Sequence, residues 1–393
     1  MISEDILFSD LRTMGAAIRA RKLSPVELTE AYLTRLETIG PKLGAVVTVT
    51  RELALAQAHS AEKEIAAGKY RGPLHGIPYG AKDVFATKGI RTTWGAAPWR
   101  DRVPDHDATV ITRLADQGAI LLGKLALVEL VGGLGYNSAD ASFTGPGRTP
   151  WNTEYWSGGS SSGPGAATSA GLVAFSVGSE TGGSILGPSN YCGLAGMRPT
   201  YGRVSRAGAA ALCWSLDKIG PMCRNADDVG LVLSAIAGYD KLDPTTSRRK
   251  FAYAARPKRR RFKVGIVKGS YERAEPEIKA SFDQSVKVLS KFADITPDVA
   301  FPDYPYTPML WTILGAEGAS AYRELVDTGR MRELRNQGDR VGGYIGSMIS
   351  AVDYLQAMRV RKVARLAIDQ VLTGYDALIG PSSESGGRRV VET

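Results

Sequence analysis

Residues 157–188 constrain this chain more than any other stretch. They run Ser157-Gly-Gly-Ser-Ser-Ser-Gly163, then the apolar segment Ala170-Gly-Leu-Val-Ala-Phe-Ser-Val177, then Gly178-Ser-Glu-Thr-Gly-Gly-Ser-Ile-Leu-Gly-Pro188. Glycine at that density bares backbone N–H groups and permits dihedrals that other residues avoid. Hydroxyls beside bare amides are what acyl transfer requires: a nucleophile, and donors for the oxyanion it creates. A pair of flexible turns would read the same way locally. Two such loops flanking one apolar run argue for a single site to which both contribute.

The rest of the chain is compatible with a large enzyme. At 393 residues it is long enough for one large domain or two modest ones with a substantial core, and 44% apolar with 23% charged residues is ordinary for a globular protein. The 45 glycines are an excess, which points to many tight loops rather than disorder. The net charge of +9 is local: residues 248–263 hold Arg248, Arg249, Lys250, Arg256, Lys258, Arg259, Arg260, Arg261 and Lys263. No aromatic platform or reader motif accompanies that run, so it is read as a solvated linker and not as a nucleic-acid surface. Cys192, Cys213 and Cys223 are odd in number and lack metal-ligand spacing. The start, Met1-Ile-Ser-Glu-Asp-Ile-Leu-Phe-Ser-Asp10, has no signal-peptide pattern, and no apolar run reaches membrane-spanning length. The expectation is a cytoplasmic protein without a membrane partner.

Ser24-Pro25-Val26-Glu27 reads as a capping box with proline at the first helical position, and Leu28, Ala31, Tyr32, Leu36 and Ile39 recur at helical spacing. The spacing predicts a helix over 25–39. Strands are expected at 45–50, 119–124, 264–267 and 375–379, and helices at 51–67, 109–117, 226–237, 276–292, around 309–337, and at 352–372. Strands alternating with helices argue for an α/β fold around a largely buried sheet.

Four local patterns offer chemistry. Gly118-x4-Gly123-Lys124 resembles a phosphate loop, but Leu125 stands where a Mg²⁺-binding hydroxyl is required. Gly159-Ser-Ser-Ser-Gly163 fits a nucleophile elbow centred on Ser161. An elbow needs a preceding strand and a later histidine, yet His59, His75 and His106 all lie upstream. Ser215-Leu-Asp-Lys218 matches Ser-x-x-Lys, without the companion elements of penicillin-recognising enzymes. The remaining option is a serine nucleophile whose base is a lysine, kept neutral near pH 7 by desolvation. Lys82, in Ile77-Pro-Tyr-Gly-Ala-Lys82-Asp-Val-Phe85, has the apolar, turn-rich surroundings for that role.

Taken together, several blocks resemble the amidase signature family. They are Gly76-Ile-Pro-Tyr-Gly-Ala-Lys82-Asp83, Pro150-Trp-Asn152, Gly158-Gly-Ser160-Ser-Ser-Gly163, Gly182-Gly-Ser184-Ile185 and Gly193-x3-Met197-Arg-Pro-Thr-Tyr-Gly202-Arg-Val-Ser205. The match runs from about Leu23 to Leu378. It implies a large twisted mixed β-sheet covered by helices on both faces, as one domain: a core segment 1–247, the basic linker 248–263, and 264–393 completing it. It also implies a Ser–Ser–Lys triad, with Ser184 as nucleophile, Ser160 as bridging serine after a cis peptide at Gly159–Ser160, and Lys82 as base. The oxyanion hole would be the backbone N–H groups of Thr181, Gly182, Gly183 and Ser184. No metal or organic cofactor is implied.

The departures from the family pattern bear on substrate. Glu180 replaces the usual Asp, a change expected to shift the oxyanion loop slightly. Ser162-Gly163 replaces Gly-Gly, so the helix beginning there could be displaced. Leu186 replaces the usual Arg; loss of that cation argues for neutral, apolar substrates. Leu186, Tyr191 and Trp214 are candidate pocket residues, with core packing the competing reading for each, and the loop 131–148 with Tyr136 is the candidate substrate wall. The close of the chain, Gly380–Thr393, matches none of the family's final strands, and a shortened fold would leave a sheet edge open to homodimerisation. The function expected is hydrolysis of C–N bonds in small neutral amides, with aryl amides, carbamates (urethanase activity) or esters as variants. The rivals are the A subunit of a glutamine-dependent amidotransferase and a truncated, weakly active relative.

Overall fold

The structure is a computed structural model that describes residues 2–132, 138–253 and 261–390. It packs into two compact units: residues 1–255 with 321–342 and 387–393, and residues 256–320 with 343–386. The chain after the basic run therefore contributes to both.

The first unit is built on a six-stranded sheet of order β1-β3-β2-β4-β6-β5, formed by Val46–Val49 (β1), Pro78–Lys82 (β2), Ile120–Leu125 (β3), Phe175–Glu180 (β4), Ala195–Gly196 (β5) and Lys218–Cys223 (β6). The pair β2–β3 and the pair β2–β4 are parallel; β1, β5 and β6 run antiparallel to their neighbours, so the sheet is mixed. β2, β3 and β4 are buried along their whole length, which fits central strands covered on both faces. Helices Pro25–Thr38, Arg51–Ala66, Ser162–Ser169 and Ala226–Ile236 pack on this sheet.

The helix Pro25–Thr38 starts where the capping box puts it: Ser24 Oγ accepts from the Glu27 N–H at 3.2 Å. Ser24 Oγ then donates to the Glu62 carboxylate, tying this helix to Arg51–Ala66. Leu28, Tyr32, Leu33 and Leu36 are fully buried on one stripe.

Sequence periodicity misses β6 and most of β4. β6 contains Gly220-Pro221, and a proline inside an apparent central strand argues against one. It is tolerated because Pro221 is paired only through its carbonyl, which accepts from Met197 N at 3.1 Å. β4 ends in Gly-Ser-Glu, polar residues that are buried because they face a site and not solvent.

The second unit has its own parallel sheet of order β8-β7-β9, formed by Phe262–Val267 (β7), Ala293–Val299 (β8) and Ala377–Ile379 (β9). Its helices include Pro276–Leu289, Tyr306–Ala321 and Ala351–Leu372. The late strands thus form a separate sheet and do not extend the six-stranded one.

Candidate active site

The candidate groups collect at the C-terminal ends of the parallel neighbours β2 and β4, where open α/β sheets place their ligands. Lys82 is the last residue of β2 and is fully buried. Its Nζ lies 2.8 Å from Ser160 Oγ, 3.1 Å from Ser179 Oγ and 3.3 Å from the Ser179 carbonyl oxygen. Desolvation pulls the Lys82 ammonium down to about 7; the carboxylates of Asp217 and Glu180 oppose that shift without cancelling it.

Ser160 is fully buried, follows a cis peptide at Gly159–Ser160, and has its carbonyl bonded by Val128 N at 3.1 Å. The next residue, Ser161, donates its N–H to the Ser184 carbonyl at 3.1 Å and its hydroxyl to the Ser179 carbonyl at 3.2 Å. That backbone bond joins the two glycine-serine loops directly. It also turns the Ser161 hydroxyl inward, away from the role of an elbow nucleophile.

The helix Ser162–Ser169 begins at the end of the serine run, at Ser162-Gly163. Gly163 donates to Ala126 O at 2.9 Å, and a Cβ there would lie 2.3 Å from Ala126 N and 2.4 Å from Ala45 O. The absence of a side chain is what lets this helix sit against the β3 exit.

The loop 181–184 is clamped at both ends. Thr181 Oγ1 donates to Asp217 Oδ1 at 2.5 Å, and its carbonyl accepts from Lys218 Nζ at 2.8 Å. The remaining Asp217 oxygen takes the N–H groups of Leu212 and Cys213 at 2.9 and 3.0 Å. Beyond the loop, Glu180 Oε2 accepts from the N–H groups of Ile185 and Leu186 at 2.8 and 3.0 Å, while Oε1 accepts from Arg198 at 3.1 Å. The longer Glu side chain is thus spent on closing the loop. Gly183 adopts φ +117°, open in practice only to glycine. Among the described residues, no protein group accepts from the N–H of Gly182, Gly183 or Ser184. Three donors free of intramolecular partners, beside a serine that is nearly buried, are positioned to meet an anion.

Ser179 and Asp217 escape a reading of the sequence. Ser179 lies within a strand end that reads as loop. Asp217 stands inside the rejected Ser215-x-x-Lys218 pattern, and its role becomes visible only once β6 is paired with β4, Glu180 opposite Lys218.

The other sequence patterns resolve as structure. Gly123-Lys124 lies inside β3, and Lys124 Nζ is buried against Asp83 Oδ1 at 3.2 Å, Phe85 O at 2.7 Å and Thr92 Oγ1 at 2.7 Å. That ion pair fixes the turn immediately after Lys82, since Asp83 Oδ2 also takes the Thr93 N–H and hydroxyl at 2.8 and 2.6 Å. His75 is buried, which lowers its pKa, and it is remote in sequence from both loops.

Of the candidate pocket residues, Trp214 lines a cavity of about 240 Å³ together with Ser179, Arg206, Asp217 and Lys218. Leu186 is partly exposed at the first turn of the helix Leu186–Tyr191. Tyr191, five residues on and about 140° around that helix, packs instead against Val128, Ala141 and Trp156. Core packing is what the structure gives it. Tyr136 lies outside the described residues. Ahead of it in sequence, Leu130 and Val131 hold left-handed backbone (φ +52° and +63°), which for a β-branched residue such as Val131 costs on the order of 1–3 kcal/mol.

Known proteins share this sequence pattern and this fold. The family model described as Amidase matches residues 27–389. The A subunit of glutamyl-tRNA(Gln) amidotransferase from Geobacter metallireducens (strain ATCC 53774 / DSM 7210 / GS-15) is 34% identical over 402 residues, covering 95% of this chain and 82% of its own. Among solved structures, native peptide amidase from Stenotrophomonas maltophilia superposes with a TM-score of 0.82 at 27% identity, over 97% of this chain and 87% of that one. The A subunit of glutamyl-tRNA(Gln) amidotransferase from Thermotoga maritima superposes with a TM-score of 0.81 at 28% identity, over 100% of this chain and 83% of that one. The chain belongs to the amidase signature family.

Proposed function

We propose that the protein hydrolyses the C–N bond of small amides through an acyl-enzyme on Ser184, with Ser160 as proton relay and Lys82 as base. The observation that carries this reading is Lys82 itself: a wholly buried amine 2.8 Å from a serine hydroxyl, with a pKa brought to about 7. A lysine in that state is a base at neutral pH and not a surface cation.

In the proposed reaction neutral Lys82 takes the Ser160 hydroxyl proton, and Ser160 takes that of Ser184 as its Oγ attacks the amide carbon. The oxyanion is met by the N–H groups of Gly182, Gly183 and Ser184, with Thr181 fixing the entrance to the loop. The proton returns along the same route to the amine nitrogen, and the C–N bond breaks. Water then attacks the acyl-enzyme; its proton passes to the relay and restores Ser184. Leu186, in place of a cation at the edge of this loop, favours a substrate that is neutral and apolar where it meets that residue. Carbamates and esters undergo the same steps.

The test is turnover of a panel of short aliphatic amides, anilides, carbamates and esters by wild type and Ser184→Ala. Amide hydrolysis abolished in the variant supports the reading; equal turnover by both proteins would reject it. A second reading, the A subunit of a glutamine-dependent amidotransferase, is favoured by the 34% identity to the Geobacter metallireducens protein. Glutaminase activity appearing only with added partner proteins would select it.

A further inference from the structure

Beyond its bond to the Thr181 carbonyl, Lys218 has no assigned chemistry, and the structure places it on the wall of the cavity beside the candidate site. That cavity, about 240 Å³, is lined by four charged residues: Arg206, Asp217, Lys218 and Asp243. Three of them are saturated. Asp217 takes three donors from Thr181, Leu212 and Cys213. Arg206 and Asp243 pair with each other at 3.3 Å, and Thr245 and the Trp214 carbonyl take further Arg206 hydrogens. Lys218 differs. Its Nζ donates to one carbonyl, Thr181 O, at 2.8 Å, and among the described residues no carboxylate lies within ion-pair distance of it. An ammonium has three donors. Two therefore remain for a ligand in the cavity.

Position matters as much as charge. Leu186 and Lys218 flank the same loop: Leu186 follows the Ser184 side, and Lys218 holds the Thr181 side. The apolar wall beyond Lys218 is made by Trp214 with Ala209, Ala210 and Leu242. Burial and the nearby Arg198 lower the Lys218 ammonium to about 8 against the opposing carboxylates of Glu180 and Asp217, so it is mostly charged at neutral pH. Lys218 is half-buried, and an anion in the cavity would add to the partial compensation that Glu180 and Asp217 give its charge.

We infer that Lys218 is a specificity-determining residue that receives a carboxylate of the amide substrate, whose apolar spacer lies along Trp214. The inference rests on the amidase reading of the same site. It gives the substrate two unlike ends: uncharged toward Leu186, anionic toward Lys218. Lys218 takes no part in bond breaking.

The test compares two matched pairs of p-nitroanilide-type amides. In one pair the acyl part carries a terminal carboxylate or a methyl group (glutaryl against valeryl); in the other the same change is made on the amine part. Wild type should prefer the charged member of at least one pair. Lys218→Gln should lower kcat/KM for that member about tenfold or more beyond any change in its uncharged partner, mainly through KM. Lys218→Arg should retain most of the preference. Equal losses on charged and uncharged members would overturn the inference, assigning Lys218 to loop support through Thr181. No loss on any substrate would overturn it as well. In both cases Ser184-dependent turnover would persist and the proposed function would stand; absence of turnover and of Ser184 acylation in wild type would reject both.

Discussion

A lysine in water is a poor base at neutral pH because almost all of it is protonated. Lys82 escapes that limit by burial: its ammonium, ordinarily near 10.5, loses its proton at about 7. The rate should follow. We expect kcat/KM to rise with pH through about 7 as the neutral amine forms, and Lys82→Met to lower kcat/KM by roughly 10²–10⁴-fold, measured by steady-state kinetics across pH. The same shift bears on stability with a definite sign. Between about pH 7 and 10.5 the unfolded chain holds a proton that the folded chain has lost, so stability rises with pH across that window. Lys82→Met should therefore melt above wild type at pH 6, with the gap shrinking by pH 9, read by calorimetry. Ser179→Ala removes the second hydroxyl on Lys82, at 3.1 Å. It should cost about tenfold in kcat/KM while leaving Ser184 reactive, because only the orientation of the base is disturbed. At this scale the sequence is informative for residues with motif context. Lys82, Ser160 and Ser184 come together around two loops, whereas Ser179 and Asp217 sit in strand ends whose polar residues look like turn.

Element packing explains why these residues meet. The parallel pairing of β2 with β4 brings Lys82 and Ser179 to the same edge, and the helix Ser162–Ser169 lies close enough to β3 to bring the serine run over both. Gly163 permits that approach. Gly163→Ala would push a methyl group into the backbone at Ala126 and Ala45, which cannot yield as a flexible side chain can. We expect a loss of roughly 2 kcal/mol or more, seen as a lower denaturation midpoint, and a drop in activity from the displaced Ser160. The helix Pro25–Thr38 is legible because its cap and apolar stripe are written locally. β6 is not, because the proline that disqualifies it by propensity is accommodated by tertiary pairing that no local window contains. The helix Gln337–Ser347 is partly hidden for the same kind of reason: its glycines depress helix propensity.

On the scale of the molecule, the α/β class follows from the alternation of strands and helices, but the division of strands between two sheets does not. Nothing in the periodicity of Phe262–Val267 or Ala377–Ile379 tells which sheet each joins; that depends on parallel pairings between segments more than a hundred residues apart. All the candidate catalytic groups lie in the unit that carries the six-stranded sheet. The chain contains many serines, and four of those in the candidate site (Ser160, Ser161, Ser179 and Ser184) are buried, with the hydroxyls of Ser160 and Ser179 on the Lys82 amine. Ser184 alone among them is the proposed nucleophile. The most direct measurement is to react the whole protein with a fluorophosphonate and map the adduct along the entire chain by peptide mass spectrometry. One phosphonylated residue, Ser184, is expected, with labelling lost in Ser184→Ala and slowed in Lys82→Met. An adduct on Ser160 or Ser161, or undiminished labelling of Ser184→Ala, would contradict it.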